Sequence, residues 1–393
     1  MSGVSASLGP MEATPSPERL LRLALWLVRG ISSRAIETLF AHCSTEEAMG
    51  LDRAALAAAL GLRPAAARRL GAAPEDLLGW ARSVVDEVRA RGGVVLWRGD
   101  PAAPDWGPLR DPPEVLFLRG SLGAAGSGPD GGRAVAVVGA RQAHPGSLRL
   151  ARRIGHALAR RGYTVVSGGA FGVDAAAHRG ALEAGGPTAA VLGSGVLLPL
   201  PRRNRRLFAE ILAAGGGLAS ELPPREPARR EFFPRRNRLV AALSRAVVVV
   251  QASESSGSLH TARAALEMGR PVYVVAGGDE ANAGGRRLLA EGAIGVEGEG
   301  DLLDALEGRD RPPAGPGGGS ERVLEALDGP PQTLAELAHR LAMDAARVAA
   351  VVARLCAEGR VAFQGPGRIA LRREALSGRD APRAEAPSAG EDR

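Results

Sequence analysis

Two short segments combine small turn residues with groups that could hold an anion. AVAVVGAR and YTVVSGGAFGVD each place a glycine turn after an apolar run and before a helical pattern. Such turns expose backbone N–H groups, and a helix N-terminus adds positive potential, so two of them side by side could bind an anion. Arg141 lies within the first turn. The pair therefore predicts an anion pocket and leaves open which anion it binds.

Groups that could act as nucleophile, acid or base are few. The candidates are Asp174, His178, Glu254, Ser256, Ser258 and His260. Cofactor-free hydrolysis needs such groups in pairs. Asp174 and His178 lie four residues apart at a helix start, which favours a helix N-cap and a packed histidine. The serines before His260 would more simply donate hydrogen bonds to an anion. We expect no catalytic residue, and no metal site because the histidines and cysteines lack ligand spacing.

The usual nucleotide-binding motifs are missing. A P-loop needs a lysine, and the chain contains none. The pattern G-x-G-x-x-G does not follow the first strand, which continues GARQAHPG. The acidic residue that binds a ribose would have to follow the strand TAAVL, where Gly193 stands instead. We therefore expect no cofactor, and a nucleotide-binding or nucleotide-hydrolysing enzyme remains the alternative function.

The positive charge, a net +7 carried entirely by arginine, is concentrated in two segments. They are PRRNRRL, residues 201–207, and REPARREFFPRRNR, residues 225–238. A basic stripe is typical of nucleic-acid binders, whereas solvated arginines on loops are the alternative. Arg141 could pair with a phosphate through its planar guanidinium. We therefore favour a nucleic-acid backbone as the anion.

Side chains that could contact bases lie in or near the same segments. Asn204 and Asn237 could hydrogen-bond to bases or sugars, and Phe171, Phe232 and Phe233 could stack on single-stranded bases. A place in the core is the alternative for each phenylalanine. The predicted DNA-binding residues are Gly139, Ala140, Arg141, Ser167, Gly168, Gly169, Ala170, Phe171, Gly172, Gly193, Ser194, Gly195, Arg202, Asn204, Arg235, Arg236, Asn237, Arg238, Ser256, Gly257, Ser258 and Thr261.

The elements that would position these residues form an α/β domain. Uninterrupted apolar runs predict parallel strands buried on both faces. These runs are 134–138, 163–167, 188–192, 246–251 and 272–276, with a shorter one near 217. Amphipathic helices between them, clearest after Pro145, predict a Rossmann-like, doubly wound, mostly parallel sheet. Ligands of such sheets bind beyond the carboxyl ends of the strands, where the glycine turns lie.

Composition and pattern predict six regions. They are a disordered tail at 1–16, an N-terminal helical domain of the SAM-like or helix-hairpin type at 17–80, the Rossmann-like domain at 81–307, a linker at 308–320, a winged-helix domain at 321–373 and a disordered tail at 374–393. Three helices followed by a hairpin with a Gly-Pro-Gly tip indicate the winged helix. Whether Arg347 and Arg354 of its third helix touch DNA, or whether the module binds protein, is open. No apolar run is long enough to span a membrane and no secretory signal is evident, so we expect a cytoplasmic protein.

The motifs of the central domain resemble the DprA/Smf family of bacterial DNA-processing proteins. LRDPPEVLFLRG, VVGAR, SGGAFGVDAAAHRGAL, VLGSGVLLPLPRRNRRL, SELPP, FFPRRNRLVAALS and SGSLHTARAALEMGR follow in that family's order. The resemblance is strong over about residues 106–300. It implies a homodimeric, non-catalytic protein that binds single-stranded DNA and loads the recombinase RecA during natural transformation, when competent cells take up DNA. Arg141 and Arg202 match the family's phosphate-binding arginine and a DNA-contacting lysine.

The chain departs from the family pattern at four positions. Gly169 replaces a usual leucine, Leu197 and Leu200 replace Asp and Tyr, and Ala276 replaces a proline. A related family with a similar sheet, the nucleotide phosphoribohydrolases, keeps a catalytic glutamate three residues past the threonine of its PGGxGTxxE motif. Here Ala264 stands three residues past Thr261. The missing glutamate favours binding over hydrolysis.

Overall fold

A computed structural model describes residues 14–128, 132–275, 282–308 and 323–341, together with 348, 351–352, 355–356, 360–364 and 368–371. The chain divides into two compact units, Met1–Arg311 and Pro312–Arg393, which we describe separately. Most of both predicted tails and of the linker lies outside the described residues. So do Ala276, Arg347, Arg354 and the Gly-Pro-Gly tip.

Six helices open the first unit. They are α1 Pro17–Leu27, α2 Ser33–His42, α3 Thr45–Gly50, α4 Arg53–Ala59, α5 Pro64–Gly71 and α6 Leu77–Arg89. Most begin at a residue whose side chain caps the helix, as at Ser44, where a reciprocal capping box with Glu47 is complete. The predicted domain boundary at residue 80 falls inside α6. Helix α1 packs in one hydrophobic cluster with the first two strands, through residues such as Val95 and Phe117.

A nine-stranded sheet forms the centre of this unit. Its strands are β1 Gly93–Trp97, β2 Val115–Gly120, β3 Ala134–Val138, β4 Thr164–Ser167, β5 Thr188–Val191, β6 Gly217–Ser220, β7 Ala246–Val249, β8 Val272–Val275 and β9 Ile294–Val296. Their spatial order is β1-β2-β6-β5-β4-β3-β7-β8-β9. The pairings from β6 through β9 are parallel, whereas β2 pairs antiparallel with β1 and with β6. The predicted mostly parallel α/β sheet is confirmed.

Helices cover both faces of the sheet. They are α7 Pro145–Arg160, α8 Val173–Glu183, α9 Arg205–Ala213 preceded by the 3-10 turn Arg202–Asn204, α10 Phe232–Ala242, α11 Ser258–Glu267, α12 Ala283–Ala290 and α13 Glu299–Leu306. Alternate residues of β3 enter different cores: Ala136 packs with residues of α10 and α11, and Val137 with those of α7 and α8. The strand is therefore buried on both sides, as its apolar sequence predicts.

The direction of winding changes between β3 and β7, which are neighbours in the sheet. The chain leaves β3 for α7 on one face and leaves β7 for α11 on the other. Such a divergence opens a crevice beyond the carboxyl ends of the two strands. The sheet thus places a binding crevice next to the turn that carries Arg141.

The second unit contains a three-stranded antiparallel sheet of order β10-β12-β11. Its elements are a helical segment at 323–326, β10 Gln332–Thr333, α14 Leu334–Leu341, β11 Val361–Phe363 and β12 Arg368–Leu371. The predicted capping box is present, since Thr333 N donates to Glu336 Oε2 and Glu336 N donates to Thr333 Oγ1. The winged-helix assignment stays a prediction. No helix in the described ranges of either unit is long and apolar enough to cross a membrane.

Candidate nucleic-acid interface

A cavity of about 990 Å³ opens where β3 and β7 end. Its walls come from the turn after β3, the glycine loop after β4, the start of α10 and the turn before α11. Twelve predicted residues line it: Gly139, Ala140, Arg141, Gly168, Ala170, Phe171, Arg236, Asn237, Ser256, Gly257, Ser258 and Thr261. The fold therefore brings the two glycine turns and the serine-rich turn to one cavity.

Arg141 is exposed at this cavity and lies over an aromatic ring. Its Cζ is 4.8 Å from the centroid of the Phe233 ring, an interaction that orients the guanidinium without occupying its N–H donors. Throughout the described ranges, no carboxylate forms an ion pair with Arg141. A Cβ on Gly193 would lie 3.0 Å from Phe233 Cδ1, so the ring in turn rests on that glycine. Arg141 is thus oriented and free to bind an anion.

The two glycine turns touch through their backbones. Val173 N donates to Ala140 O at 3.2 Å, and Ala140 N donates to Gln251 O at 2.7 Å. Gly172 has φ +77°, and a Cβ there would overlap the carbonyl oxygen of Ala140. Only glycine satisfies both conditions without strain. This contact fixes the spacing between the loops that follow β3 and β4.

Asp174 is buried beneath the second turn and holds it in place. Its Oδ2 accepts hydrogen bonds from Gly168 N at 3.1 Å and from Ala170 N at 3.2 Å. Burial raises the pKa of this carboxyl, and the nearby Arg236 opposes the rise. The expected N-cap role is wrong, because Gly172 is the N-cap of α8 and no side chain caps that helix. Asp174 instead lies in the first turn of α8, where its oxygen holds the glycine loop.

Arg236 is a buried cation whose charge favours the ionised form of this carboxyl. Its NH1 donates to Gly168 O at 2.7 Å and also to Val191 O, and its Nε donates to Asn237 Oδ1 at 3.2 Å. Burial lowers the pKa of Arg236 to about 10, Asp174 raises it, and Arg141 lowers it further, so the guanidinium is charged at neutral pH. The sequence placed Arg236 at the DNA. In the structure its NH1 is occupied by two carbonyl oxygens that lie far away in the sequence, and its Nε by the side chain of the next residue.

The neighbouring arginines of the segment 225–238 are also paired. Arg238 NH2 lies 2.6 Å from Glu221 Oε2 and Arg235 Nε lies 3.3 Å from Glu221 Oε1. Glu221 is buried, which raises its pKa, whereas the two arginines lower it. Arg235 and Arg238 are absent from the cavity lining, contrary to the sequence prediction. Among the arginines of this fully described segment, Arg230 alone is exposed, lines the cavity and lacks a carboxylate partner.

Three further polar residues near the strand ends are buried and hydrogen-bonded to the protein, although Nε2 of His178 has no partner among the described residues. Ser167 Oγ, predicted to face DNA, donates to Val137 O at 2.6 Å. His178 Nδ1 donates to Thr188 Oγ1 at 2.7 Å, because the Thr188 hydroxyl is itself the donor to Val165 O. Burial lowers the pKa of His178 to about 3, so the ring is neutral. His178 is a packed histidine, as expected.

The 3-10 turn carries two exposed arginines and one buried amide. Arg202 and Arg203 face solvent, whereas Asn204 Nδ2 donates to Gly169 O at 2.9 Å and to Ala170 O at 3.1 Å. Asn204 was predicted to contact bases. The structure uses it to tie the basic turn to the glycine loop, so Arg202 and Arg203 lie beside that loop and outside the first cavity.

Gly169 occupies a place that excludes larger residues. Its φ is +66°, and a Cβ would lie 2.8 Å from Phe208 Cε1. Leucine, usual at this position in the resembling family, would therefore clash with Phe208 in this chain. Glycine at position 169 thus leaves room for the Phe208 ring beside the loop.

The glycine segment after β5 supports the cavity without lining it. Gly193 lies under the Phe233 ring, Ser194 Oγ accepts a hydrogen bond from Leu200 N at 3.2 Å, and Gly195 N donates to Glu226 O at 2.8 Å. These residues were predicted to bind DNA, but all three are buried. Leu197, another departure from the family pattern, packs against the hydrophobic cluster that contains α1.

The three candidate stacking residues differ in exposure. Phe171 is 37% exposed and lines the cavity, and Phe233 is half-buried there. Phe232 is buried and lies under Arg29, which confirms the core alternative for that ring. Several lining residues escaped the sequence analysis, Gln251 and Arg230 among them. The signals for these two were a polar residue directly after an apolar strand and an arginine in the basic segment.

Among the residues that the structure describes, no group of three or more His, Cys, Asp or Glu side chains could hold a metal ion. The cavity can instead offer an arginine fork, backbone N–H groups, serine hydroxyls and aromatic faces. These groups suit a phosphate chain with bases.

Comparison with known proteins tests the resemblance. Residues 96–307 match the family described as DNA recombination-mediator protein A. The chain is 42% identical over 199 residues to Protein Smf of Escherichia coli (strain K12), which covers 50% of this chain and 52% of that protein. It is 35% identical over 203 residues to the DNA processing protein DprA of Bacillus subtilis (strain 168), which covers 51% and 67%. The chain thus spans about half the length of the first of these relatives.

The X-ray structure of DprA from Streptococcus pneumoniae aligns with a TM-score of 0.58 and 28% identity, over 74% of this chain and 98% of that one. Sequence and fold agree, and the family match covers more than half of the 393 residues. This chain is therefore a member of the DNA recombination-mediator protein A family, to which the DprA and Smf proteins belong.

Proposed function

We propose that this protein binds single-stranded DNA in the cavity between β3 and β7 and acts as a recombination mediator. In this role it protects incoming DNA and loads RecA during natural transformation. The observation that carries the proposal is Arg141, exposed over Phe233 at the cavity with no carboxylate partner in the described structure. The family description, a DNA recombination mediator, supports the choice of DNA.

The groups around Arg141 favour a single strand. A guanidinium binds phosphate through two parallel hydrogen bonds, and Ser256, Ser258 and Thr261 add hydroxyls at the same cavity. Phe171 and Phe233 present ring faces on which unpaired bases could stack. Bases of a duplex are already stacked on one another and cannot reach rings inside a cavity. The aromatic faces therefore favour single-stranded over double-stranded DNA.

We propose that the site binds its ligand without turnover. Asp174 and His178 are buried and hydrogen-bonded to the protein, which supports a structural role for both. Ser256 Oγ and Ser258 Oγ lie 2.7 Å apart and share a hydrogen bond. Neither serine has a described general base in hydrogen-bond contact, as serine nucleophiles require. The proposal also includes a homodimer, as the family resemblance implies, and a cytoplasmic location, as expected from the sequence.

Fluorescence anisotropy with a labelled oligothymidylate tests DNA binding directly. If about four arginines neutralise phosphates, log Kd should change with log salt with a slope of about 3. An unlabelled single strand should compete much better than a duplex of equal length. A salt-independent affinity, or equal competition by the duplex, would overturn the proposal.

The mediator role needs a separate assay. RecA loading onto DNA coated with single-strand-binding protein should accelerate when this protein is added. At equal concentration its Arg141→Ala variant, which binds DNA more weakly, should accelerate loading less. Light scattering coupled to size exclusion reports whether the protein is a dimer.

Incubation with ATP or nucleoside monophosphates, followed by chromatography, checks for turnover. A product peak would favour the nucleotide-hydrolysing alternative.

A further inference from the structure

We propose that the DNA path continues beyond Phe171 into a second basic cavity, where the same strand is bound through its phosphates. The inference rests on the proposed single-stranded-DNA binding. It assigns Phe171 as the stacking residue between two subsites, and Arg149, Arg179 and Arg203 as the cations of the second subsite.

The second cavity, of about 490 Å³, lies between α7, α8 and the 3-10 turn. Its lining is Leu148, Arg149, Arg152, Phe171, Gly172, Ala175, Ala176, Arg179, Arg203 and Asn204. Phe171 and no other large side chain is shared with the lining of the Arg141 cavity. A chain that follows the surface from one cavity to the other therefore crosses the exposed face of this ring.

Charge distinguishes this cavity from the other basic surfaces. Arg149, Arg179 and Arg203 are exposed, and none forms an ion pair with any residue in the described ranges. Arg152 alone is paired, with Glu183. The lining contains no acidic side chain. Arginines held together without carboxylates repel one another, so their arrangement favours a polyanion that neutralises them.

The segment 225–238 provides an internal comparison. It is as rich in arginine, yet its side chains reach Glu87, Glu221 and Glu226. Clustered arginines in this protein therefore form ion pairs with the protein itself where carboxylates are nearby. The second cavity has no acidic side chain in its lining, so the three arginines assigned to the second subsite are not neutralised in this way.

The two cavities are held in fixed relation by buried contacts. Asn204, in the second lining, donates to the carbonyl oxygens of Gly169 and Ala170, and Ala170 lines the first cavity. Helices α7 and α8 touch at glycines, because a Cβ on Gly155 or on Gly180 would overlap a backbone carbonyl of the other helix. Arg149 on α7 and Arg179 on α8 therefore keep their spacing, as a subsite for a repeating phosphate chain requires.

The floor of the second cavity suits a strand. Leu148, Ala175 and Ala176 are apolar and two of them are small, so the arginines surround a shallow, uncharged floor. A sugar or base edge can lie there while phosphates face the guanidinium groups at the rim. A small compact anion would not need the apolar floor or the neighbouring ring.

A length series of oligothymidylates tests the second subsite in the intact chain. The variant Arg149→Ala/Arg179→Ala is compared with the control Arg160→Ala/Arg245→Ala, whose exposed arginines lie at the amino edge of the parallel strands. The ratio of variant to wild-type Kd should grow with oligonucleotide length and reach about tenfold or more, and the salt slope should fall by about 1.4. The control should behave as wild type.

Stacking on Phe171 is tested with oligonucleotides that carry one 2-aminopurine at successive positions, since stacking quenches its fluorescence. Wild-type protein should quench one internal position that Phe171→Leu no longer quenches, and this variant should bind long strands about tenfold more weakly. An unchanged quenching profile together with a length-independent arginine variant would overturn the second subsite.

The outcomes also separate the two proposals. If wild-type protein binds no oligonucleotide of any length, the proposed function and the second subsite both fail. If wild type binds but the double arginine variant matches its control at every length, only the second subsite fails.

Discussion

The guanidinium of Arg141 lies over the ring of Phe233, with 4.8 Å between Cζ and the ring centroid. Phe233 also neighbours the buried Arg236, whose Cζ lies 6.0 Å from the same centroid. One ring therefore lies near both an arginine that faces solvent and an arginine that serves the protein interior. This arrangement divides the basic residues into those available to a ligand and those that stabilise the fold, and the first two predictions test the division.

Arg141→Ala should remove one phosphate contact. We expect the salt slope of single-stranded-DNA binding to fall by about 0.7 and the affinity at moderate salt to fall about tenfold. Arg141→Lys should keep the slope but lose part of the affinity, because lysine lacks the planar fork. Anisotropy titrations at several salt concentrations measure both, with Arg160→Ala as the matched loss of charge. A slope for Arg141→Ala equal to that of the control would remove Arg141 from the site.

Arg238→Ala should behave in the opposite way. Arg238 pairs at 2.6 Å with Glu221, whose side chain is 3% exposed, so its removal leaves a buried carboxylate with only Arg235 nearby. We expect the free energy of unfolding to fall by about 2–4 kcal/mol, with no change in the DNA salt slope. Urea denaturation and salt titration provide the two readouts. A slope reduced as in Arg141→Ala would return Arg238 to the DNA interface.

Gly169→Leu should destabilise the protein although leucine is usual in the family. The residue would have to adopt φ +66° and to displace the Phe208 ring, whose Cε1 lies 2.8 Å from the Cβ position. The left-handed backbone costs about 1–2 kcal/mol and overpacking about 1–3 kcal/mol. Thermal and urea unfolding measure the sum.

A second variant separates the two costs. Combining Gly169→Leu with Phe208→Ala should recover the overpacking part, so the double variant should be more stable than the two single losses added together. Strict additivity would contradict a clash between residues 169 and 208.

Acid should destabilise the protein through His178. Its folded pKa of about 3 lies below the ordinary value of 6.5, so protons bind the unfolded chain preferentially. The contribution to stability is complete above pH about 6.5 and is lost as pH falls towards 3, by about 2 kcal/mol at pH about 5. Urea unfolding at several pH values measures this loss. His178→Asn, which keeps a donor for Thr188, should flatten the profile in this range, whereas exposed His156→Gln should not.

The sequence predicts the central strands well for a physical reason. Strands such as β3 and β7 are covered on both faces, and this requires the uninterrupted apolar runs that single them out. Strand β9 is only three residues long and follows a glycine-rich segment, so it lacks such a run. The sequence of β2 does not reveal its antiparallel direction either, because the strand would be buried in the same way in both directions.

The site was predictable only in part, and the arginines show why. Arg141 follows directly from a strand and a glycine turn, so local sequence places it. The roles of Arg236 and Arg238 depend on Gly168 O and on Glu221, which the folded chain brings near from elsewhere in the sequence. Local sequence reports the charge of a side chain but not the partner that occupies it.

The glycine loop at 168–172 is held by the buried side chains of Asp174, Asn204 and Arg236. Its conformation is therefore set during folding, and little protein conformational entropy remains to be lost when a ligand arrives. The entropy cost of association then falls mainly on the ligand. A flexible strand must become ordered along a preorganised surface, so affinity should depend more on the stiffness of the strand than on adaptation by the protein.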